Sequence, residues 1–162
     1  MRVIEHFIDG CRVAGTSGRH SEVFDPNIGA VQARVALANA VDLDRAVRNA
    51  AAAQRGWAAV NPQRRARVML EFIRLLNEHK DELATLLSSE HGKLVSAAQG
   101  DVQRGLEVIE FCCGIPHLLK GDYTQGAGPG IDVYSARQPL GVVAGITPFN
   151  FPAMVPMWMF PV

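Results

Sequence analysis

The chain has 162 residues, of which 48% are hydrophobic and 20% charged, which is the composition of an ordinary folded domain. Sixteen basic residues balance sixteen acidic ones, so no net charge attracts nucleic acid or an anionic membrane surface. Composition therefore argues against disorder, nucleic-acid binding and membrane association.

The amino terminus and the cysteines predict the cellular compartment. Acidic Glu5 comes early, and no apolar run is long enough for a signal peptide, which predicts a cytoplasmic protein. Cys11, Cys112 and Cys113 show neither CxxC spacing nor the count of a disulfide framework, so we expect reduced thiols. The five histidines lack the spacing of metal ligands, and we assign no metal.

Short strands are predicted in the first 37 residues. Residues 6–13 alternate around Asp9 and Gly10, the commonest two-residue hairpin signal. Residues 21–27 lead into a turn, and residues 30–37 alternate again, which predicts another peripheral strand.

Three helices are predicted next. Asn39 is a good N-cap with Asp42 three residues later, and the first helix should run to about Trp57. Asn61 is a second cap, and helical spacing then continues to Gly92. The third helix begins near residue 94, and its second half is apolar nearly all round, which predicts a buried position.

Arg104 stands out on this third helix. It shares a stripe with Val108 and Phe111, so we expect it to face an apolar interior, where a guanidinium needs an anionic partner. The partner could be Asp101 or Glu107 in a local ion pair. It could equally be the carboxylate of a substrate, which an arginine fork binds through paired hydrogen bonds.

Glycine-rich residues 126–130 separate the helices from a strand. Dinucleotide-binding loops lie between a strand and a helix, whereas this segment precedes the alternating residues 131–138. A flexible turn before an exposed strand is therefore the prediction.

The stretch from Pro139 to Pro152 is the most informative part of the chain. Residues 141–146 are predicted to form a buried strand, and Asn150 follows between two prolines. Ligands of open α/β sheets gather at the carboxyl ends of strands, which makes the Asn150 amide a candidate for substrate contact. The alternative is a simple N-cap for the helix that follows.

The last twelve residues are almost wholly apolar and are interrupted by three prolines. They fall short of the ~20 residues needed to span a bilayer. We expect the start of a core helix and the front of a longer protein.

Several motifs in a fixed order carry a family resemblance. They are Asp25-Pro26, the helix start from Val41-Asp42 to Ala46-Val47, Arg55-x-Trp57, Glu90-x-Gly92-Lys93, Pro139-Leu140-Gly141-Val142 and Thr147-Pro148-Phe149-Asn150-Phe151-Pro152. Together they resemble landmarks of the aldehyde dehydrogenase superfamily across essentially the whole chain. Residues 100–107 and 149–161 further resemble the CoA-acylating methylmalonate-semialdehyde dehydrogenases, and Phe149, where many relatives have Trp, supports that branch.

The resemblance implies an α/β fold, the N-terminal part of the aldehyde dehydrogenase fold, with an incomplete Rossmann-like NAD domain and an oligomerisation β-ribbon. Residues 1–120 would supply strands and helices of the NAD-binding domain. Residues 121–140 would form the ribbon, and residues 141–162 the truncated first part of the Rossmann-like core. The ribbon implies a homodimer or homotetramer.

The resemblance also implies chemistry. In this branch a Cys thiolate attacks the aldehyde, hydride passes to NAD, and CoA accepts the resulting acyl group. Methylmalonate semialdehyde then gives propionyl-CoA and malonate semialdehyde gives acetyl-CoA, each with loss of carbon dioxide. The nucleophilic Cys and the general-base Glu are expected beyond Val162, so we expect this segment alone to be inactive.

Site residues carry over by position. Asn150 matches the oxyanion-hole amide, and Ile146, Thr147 and Phe149 match the corner that borders the nicotinamide half of NAD. Arg104 lies on the helix that lines the aldehyde channel, where it would meet the substrate carboxylate. Two alternatives stay open, a non-acylating relative that hydrolyses its thioester and a truncated structural or assembly module without activity.

Overall fold

The computed structural model describes residues 1–162 and begins with a small mixed sheet and a hairpin. The sheet has the order β1 (Arg2–Ile4), β5 (Val31–Ala36), β4 (His20–Phe24), with β1 parallel and β4 antiparallel to β5. The hairpin pairs β2 (His6–Ile8) with β3 (Cys11–Val13) around Asp9 and Gly10, both at positive φ. This confirms the hairpin prediction, whereas β1 was not foreseen because three residues carry too little periodicity.

Four helices follow: α1 (Ala40–Ala59), α2 (Pro62–Glu78), α3 (Lys80–His91) and α4 (Val95–Cys112). The predicted capping box is present, because the Asn39 side chain accepts from the main chain of Asp42 while the Asp42 carboxylate accepts from the N–H of Asn39. Asn61 caps α2 through the N–H of Gln63.

The prediction of one helix from residue 62 to Gly92 was wrong. His79 has φ −108° and ψ 14°, which ends α2, and α3 begins at the next residue. The polar run around this point puts Asp81 and Glu82 in the first turn of α3, where acidic side chains favour a helix start. Gly92 ends α3 in the left-handed conformation, as a C-cap glycine does.

The main core forms where α2, α4 and a final helix α6 (Met154–Met159) meet. Its buried members are Leu76, Leu106, Ile109 and Met157. Helices α4 and α6 approach closely because Gly105 has no side chain, and a Cβ there would lie 2.4 Å from Met157 Sδ. A short helix α5 (Ile115–Leu118) follows α4. Phe111 on α4 is 63% exposed, so the predicted all-round burial of the second half of α4 was wrong.

Strands β6 (Tyr123–Gly128) and β7 (Ile131–Tyr134) pair as an antiparallel ribbon. Asp132 braces it, accepting from the N–H of Gly126 at 2.9 Å and from the Tyr123 hydroxyl at 2.7 Å. The Gly126 hydrogen bond, followed by that of Tyr123, holds the pKa of Asp132 below its ordinary value. Residues 126–128 belong to β6 rather than to a turn alone, and the second strand ends at Tyr134 instead of residue 138.

Gly121 fixes the base of this ribbon. A Cβ at this position would lie 1.8 Å from the main-chain oxygen of Ser135, whose N–H donates to the carbonyl of Asp122. We expect Gly121→Ala to separate the two segments and lower stability by about 1–3 kcal/mol. Thermal unfolding measures this. Gly100→Ala is the control, because a Cβ there meets no atom within 4 Å; an equal loss in both variants would contradict the close packing at Gly121.

Residues 141–146 do not form the predicted buried strand. They form no helix or strand and have a bend at Val142, and Val143 and Ile146 are exposed, as is the preceding Leu140. A strand exists only beside a hydrogen-bonding neighbour, and no strand within residues 1–162 lies next to this segment.

The fold leaves an unusually large surface. Its accessible area is 11394 Å², whereas a compact chain of 17.6 kDa would expose about 7,900 Å². Only 16 of 162 residues are buried, and the face of α1 that carries Leu43 and Val47 is uncovered. None of the helices combines the length and apolar character that crossing a membrane requires.

Candidate functional site

A corner of main chain at residues 147–154 lies between the start of α4 and the start of α6. Asp101 on α4 anchors its far end, because Oδ1 accepts from the N–H of Met154 at 2.8 Å. The Asp101 side chain is 1% exposed. The start of α6, whose main-chain donors have no helical partner, is thereby tied to α4.

Lys93 anchors the near end of the corner. Its ammonium donates to Asp101 Oδ2 at 2.9 Å and to the main-chain oxygen of Asn150 at 3.2 Å. It also lies 4.9 Å from the centroid of the Phe151 ring, within the range of a cation–π contact. One buried ion pair therefore holds the main chain on both sides of residues 151–153.

The Asn150 side chain is free. It is exposed and makes no hydrogen bond, although its main-chain oxygen is held by Lys93. Helix α6 begins at Met154 with Ala153 as its N-cap and no side-chain cap. The capping alternative for Asn150 is therefore wrong, and the amide is available as a donor beside a fixed main chain.

Three predicted neighbours lie on the same segment. Ile146 is 94% exposed, Phe149 is 61% exposed and Thr147 is half-buried. The Phe149 ring is 5.8 Å from the ring of His91, at the end of α3. Exposed apolar side chains flanking a hydroxyl suit a planar aromatic amide such as nicotinamide, which needs apolar cover and a few polar contacts.

Arg104 is not in an apolar interior, which corrects the sequence prediction. It is exposed on α4, one helical turn beyond Asp101. Neither proposed local partner binds it, since Asp101 pairs with Lys93 and the Glu107 carboxylate accepts from Gln103. The periodicity placed Arg104 on a stripe with Val108 and Phe111, but Val108 is only partly buried and Phe111 is exposed.

Two of the three cysteines are poor nucleophiles in this arrangement. All three are free, with Cys11 exposed on β3 and Cys112 and Cys113 at the end of α4. Burial raises the pKa of both α4 thiols above the ordinary value, which disfavours the reactive thiolate. No group of three His, Cys, Asp or Glu side chains could hold a metal ion.

Two apolar grooves border the corner. The larger, of about 280 Å³, is lined by α2, α3 and α6 and includes Pro152 and Met157. The smaller, of about 140 Å³, includes Phe149 and Leu87. Their linings are mainly apolar, so the chemistry of the site comes from the corner itself.

The helices, the ribbon and the corner match one class of enzyme. Residues 13–162 match the model of the aldehyde dehydrogenase family, and the chain belongs to that family.

The proteins that are similar to this chain over nearly its whole length include semialdehyde dehydrogenases. The chain is 45% identical over 161 residues to the malonate-semialdehyde dehydrogenase of Pseudomonas aeruginosa, covering 99% of this chain and 32% of that protein. A Sinorhizobium meliloti protein assigned as a methylmalonate-semialdehyde dehydrogenase, solved with NAD, superposes with a TM-score of 0.97 at 63% identity. The methylmalonate-semialdehyde dehydrogenase of Oceanimonas doudoroffii does so with a TM-score of 0.96 at 46% identity. Both structures cover 99% of this chain and 33% of theirs.

These comparisons confirm the family and the fold class predicted from sequence. The chain spans about a third of the length of the relatives it matches. Sequence reasoning missed Lys93 and Asp101 as parts of the site. No local pattern pointed to them, because each holds an atom more than 50 residues away in the sequence.

Proposed function

We propose that the full-length protein containing this chain is an NAD-dependent, CoA-acylating dehydrogenase of methylmalonate or malonate semialdehyde. The observation that carries the proposal is the unpaired Asn150 amide beside a main chain fixed by Lys93 and Asp101. The names of the similar proteins supply the substrate class.

Asn150 would act as an oxyanion donor. When a thiolate adds to the aldehyde carbon, the carbonyl oxygen gains negative charge, and a preorganised amide N–H stabilises it. Because burial raises the pKa of the Cys112 and Cys113 thiols, and Cys11 lies on β3 outside the corner, we assign the nucleophile to another part of the full-length protein.

Ile146, Thr147 and Phe149 would hold the nicotinamide half of NAD. Their exposed apolar surface and the Thr147 hydroxyl fit a ring with one amide substituent. NAD, when bound, supplies an acceptor for the hydride that leaves the substrate carbon. The side chains of Ile146, Thr147 and Phe149 would orient the nicotinamide ring and shield it from water.

Arg104 would bind the carboxylate that distinguishes these semialdehydes from simple aldehydes. Its guanidinium is exposed, unpaired and one helical turn from the residue that anchors the Asn150 corner. An arginine fork binds a carboxylate through two parallel charge-assisted hydrogen bonds. Arg104 is therefore the proposed selectivity residue.

We expect Arg104→Leu to raise KM for methylmalonate semialdehyde about 10- to 100-fold, because charge-assisted hydrogen bonds are lost. KM for propanal, which has no carboxylate, should change little. Steady-state NADH formation in the full-length protein measures both. Arg45→Leu on α1 is the control, since Arg45 is also exposed and unpaired. Equal effects on both aldehydes would contradict the carboxylate role.

We also propose that the protein forms a homo-oligomer and is cytoplasmic. The β6–β7 ribbon stands free, with Ile131, Val133 and Tyr134 more than half exposed. Such a strand pair suits pairing with a second copy, as a homodimer or homotetramer. Free thiols and the absence of any disulfide fit a cytoplasmic protein.

The test is product analysis of the full-length protein. NADH is followed with each semialdehyde, with and without CoA, and the product is identified by mass spectrometry. We expect propionyl-CoA or acetyl-CoA together with carbon dioxide. Free acid as the main product in the presence of CoA would overturn the acylating assignment. Absence of NADH formation would favour an assembly module without activity.

A further inference from the structure

The Asn150 amide has no side-chain support of its own. It makes no hydrogen bond, and residues 141–146 before it belong to no helix or strand. The direction of its Cα–Cβ bond, and hence the reach of its amide, is fixed by the main chain of residue 150. The Lys93 ammonium holds the carbonyl of that residue.

Lys93 is in turn held by Asp101. The pair is largely shielded, with side-chain exposures of 13% for Lys93 and 1% for Asp101. Asp101 uses its second oxygen for the N–H of Met154. Both ends of the corner thus depend on one ion pair, and a shielded pair keeps its geometry far better than an exposed one.

Other anchors are few. Van der Waals packing of Met157 against Gly105 fixes α6 on α4, but it acts three residues beyond Met154. Ala153 also packs against the two buried clusters, and the Phe149 ring makes a tilted approach to the His91 ring. None of these contacts binds the peptide unit of residue 150.

We infer that Lys93 and Asp101 are positioning residues, which set the direction of the Asn150 amide without touching the substrate. The inference rests on the oxyanion role proposed for Asn150. A displacement of about 1 Å at a reacting centre can cost about 10²-fold in rate. Loss of the Lys93 ammonium should therefore lower kcat while leaving KM nearly unchanged.

The test is a double-mutant cycle in the full-length protein with Lys93→Met and Asn150→Ala. We expect Lys93→Met alone to lower kcat about 10²-fold. In the Asn150→Ala background, Lys93→Met should lower kcat by less than about a further threefold. The reason is that an amide that is already absent cannot be misaligned. Lys80→Met is the control, since Lys80 also lies partly buried on α3 and donates to Gln103 on α4; its kcat should stay within about twofold.

The outcomes separate the two claims. If Lys93→Met lowers kcat by the same factor in both backgrounds, or not at all, Lys93 does not act through Asn150 and the inference fails. If Asn150→Ala itself leaves kcat unchanged, the oxyanion role fails first. If Lys93→Met lowers the melting temperature enough to unfold the protein, the same cycle is run with Lys93→Met combined with Asp101→Asn, which removes the unpaired buried charge, under the same criteria.

Discussion

Replacing Asn150 by alanine in the full-length protein is expected to lower kcat about 10²- to 10³-fold. The reason is that the amide donates to the oxygen only after that oxygen has gained charge, so its loss raises the barrier by about 3 kcal/mol. KM for the aldehyde should change little, because the substrate carbonyl is a weaker acceptor than the oxyanion. Steady-state kinetics with saturating NAD and CoA measure both constants.

Asn77→Ala is the matched control. Asn77 is exposed on α2, and its amide donates only to the carbonyl of Ile73 within the same helix. Its kcat should equal that of the unchanged protein. A normal kcat in Asn150→Ala would show that the oxyanion is stabilised elsewhere, and a tenfold rise in KM at constant kcat would assign Asn150 to ground-state binding.

Ile109→Ala is expected to cost about 2–5 kcal/mol of local stability, because it leaves a cavity at the centre of the main core. Ile109 is fully buried among Leu76, Leu106 and Met157. Since Met157 belongs to α6, the loss should loosen the helix that follows the Asn150 corner. Hydrogen exchange of the α4 and α6 amides measures this opening directly.

Glu110→Ala tests whether the loss comes from the cavity. Glu110 is the next residue on α4, is exposed and makes no ion pair, so its replacement should change stability by less than about 0.5 kcal/mol. Similar hydrogen-exchange rates of the α6 amides in Ile109→Ala and Glu110→Ala would contradict this. They would mean that the packing among α2, α4 and α6 contributes little to the stability of α6.

The local elements were predictable where the signal lies in a few adjacent residues. The Asp9 and Gly10 hairpin and the Asn39 capping box appear as the sequence predicts, because turn and cap chemistry depend on nearest neighbours. The residue pattern alone missed strand β6, because three of its six residues are Gly or Ala, which carry no strand preference; only the family resemblance implied a ribbon over residues 121–140.

Burial was the harder prediction. Residues 141–146 and Phe111 on α4 are apolar enough to be core, yet both are exposed. Apolar character shows that a segment can be buried, whereas its actual burial depends on a partner surface. The surface in excess of a compact chain and the coverage of about a third of the relatives agree with this explanation.

The sequence predicted the chemical group of the candidate site, the Asn150 amide. It did not predict the residues that hold the main chain beside that amide. Asn150 was singled out by its position between two prolines. Lys93 and Asp101 lie 57 and 53 residues from the atoms that they hold, so no local pattern links them to the corner. The expected local pairing of Arg104 with Asp101 was wrong because Asp101 is already paired with Lys93, eight residues earlier.

The central claim is that this chain supplies the amide that meets the oxyanion. A crystal structure of the full-length protein, trapped as its thioester with a slow semialdehyde substrate, tests it most directly. We predict that the Asn150 amide nitrogen lies about 2.7–3.2 Å from the thioester oxygen, with the Lys93 ammonium still on the Asn150 carbonyl. A thioester oxygen more than about 4 Å from that nitrogen, and bound by other donors, would contradict the account.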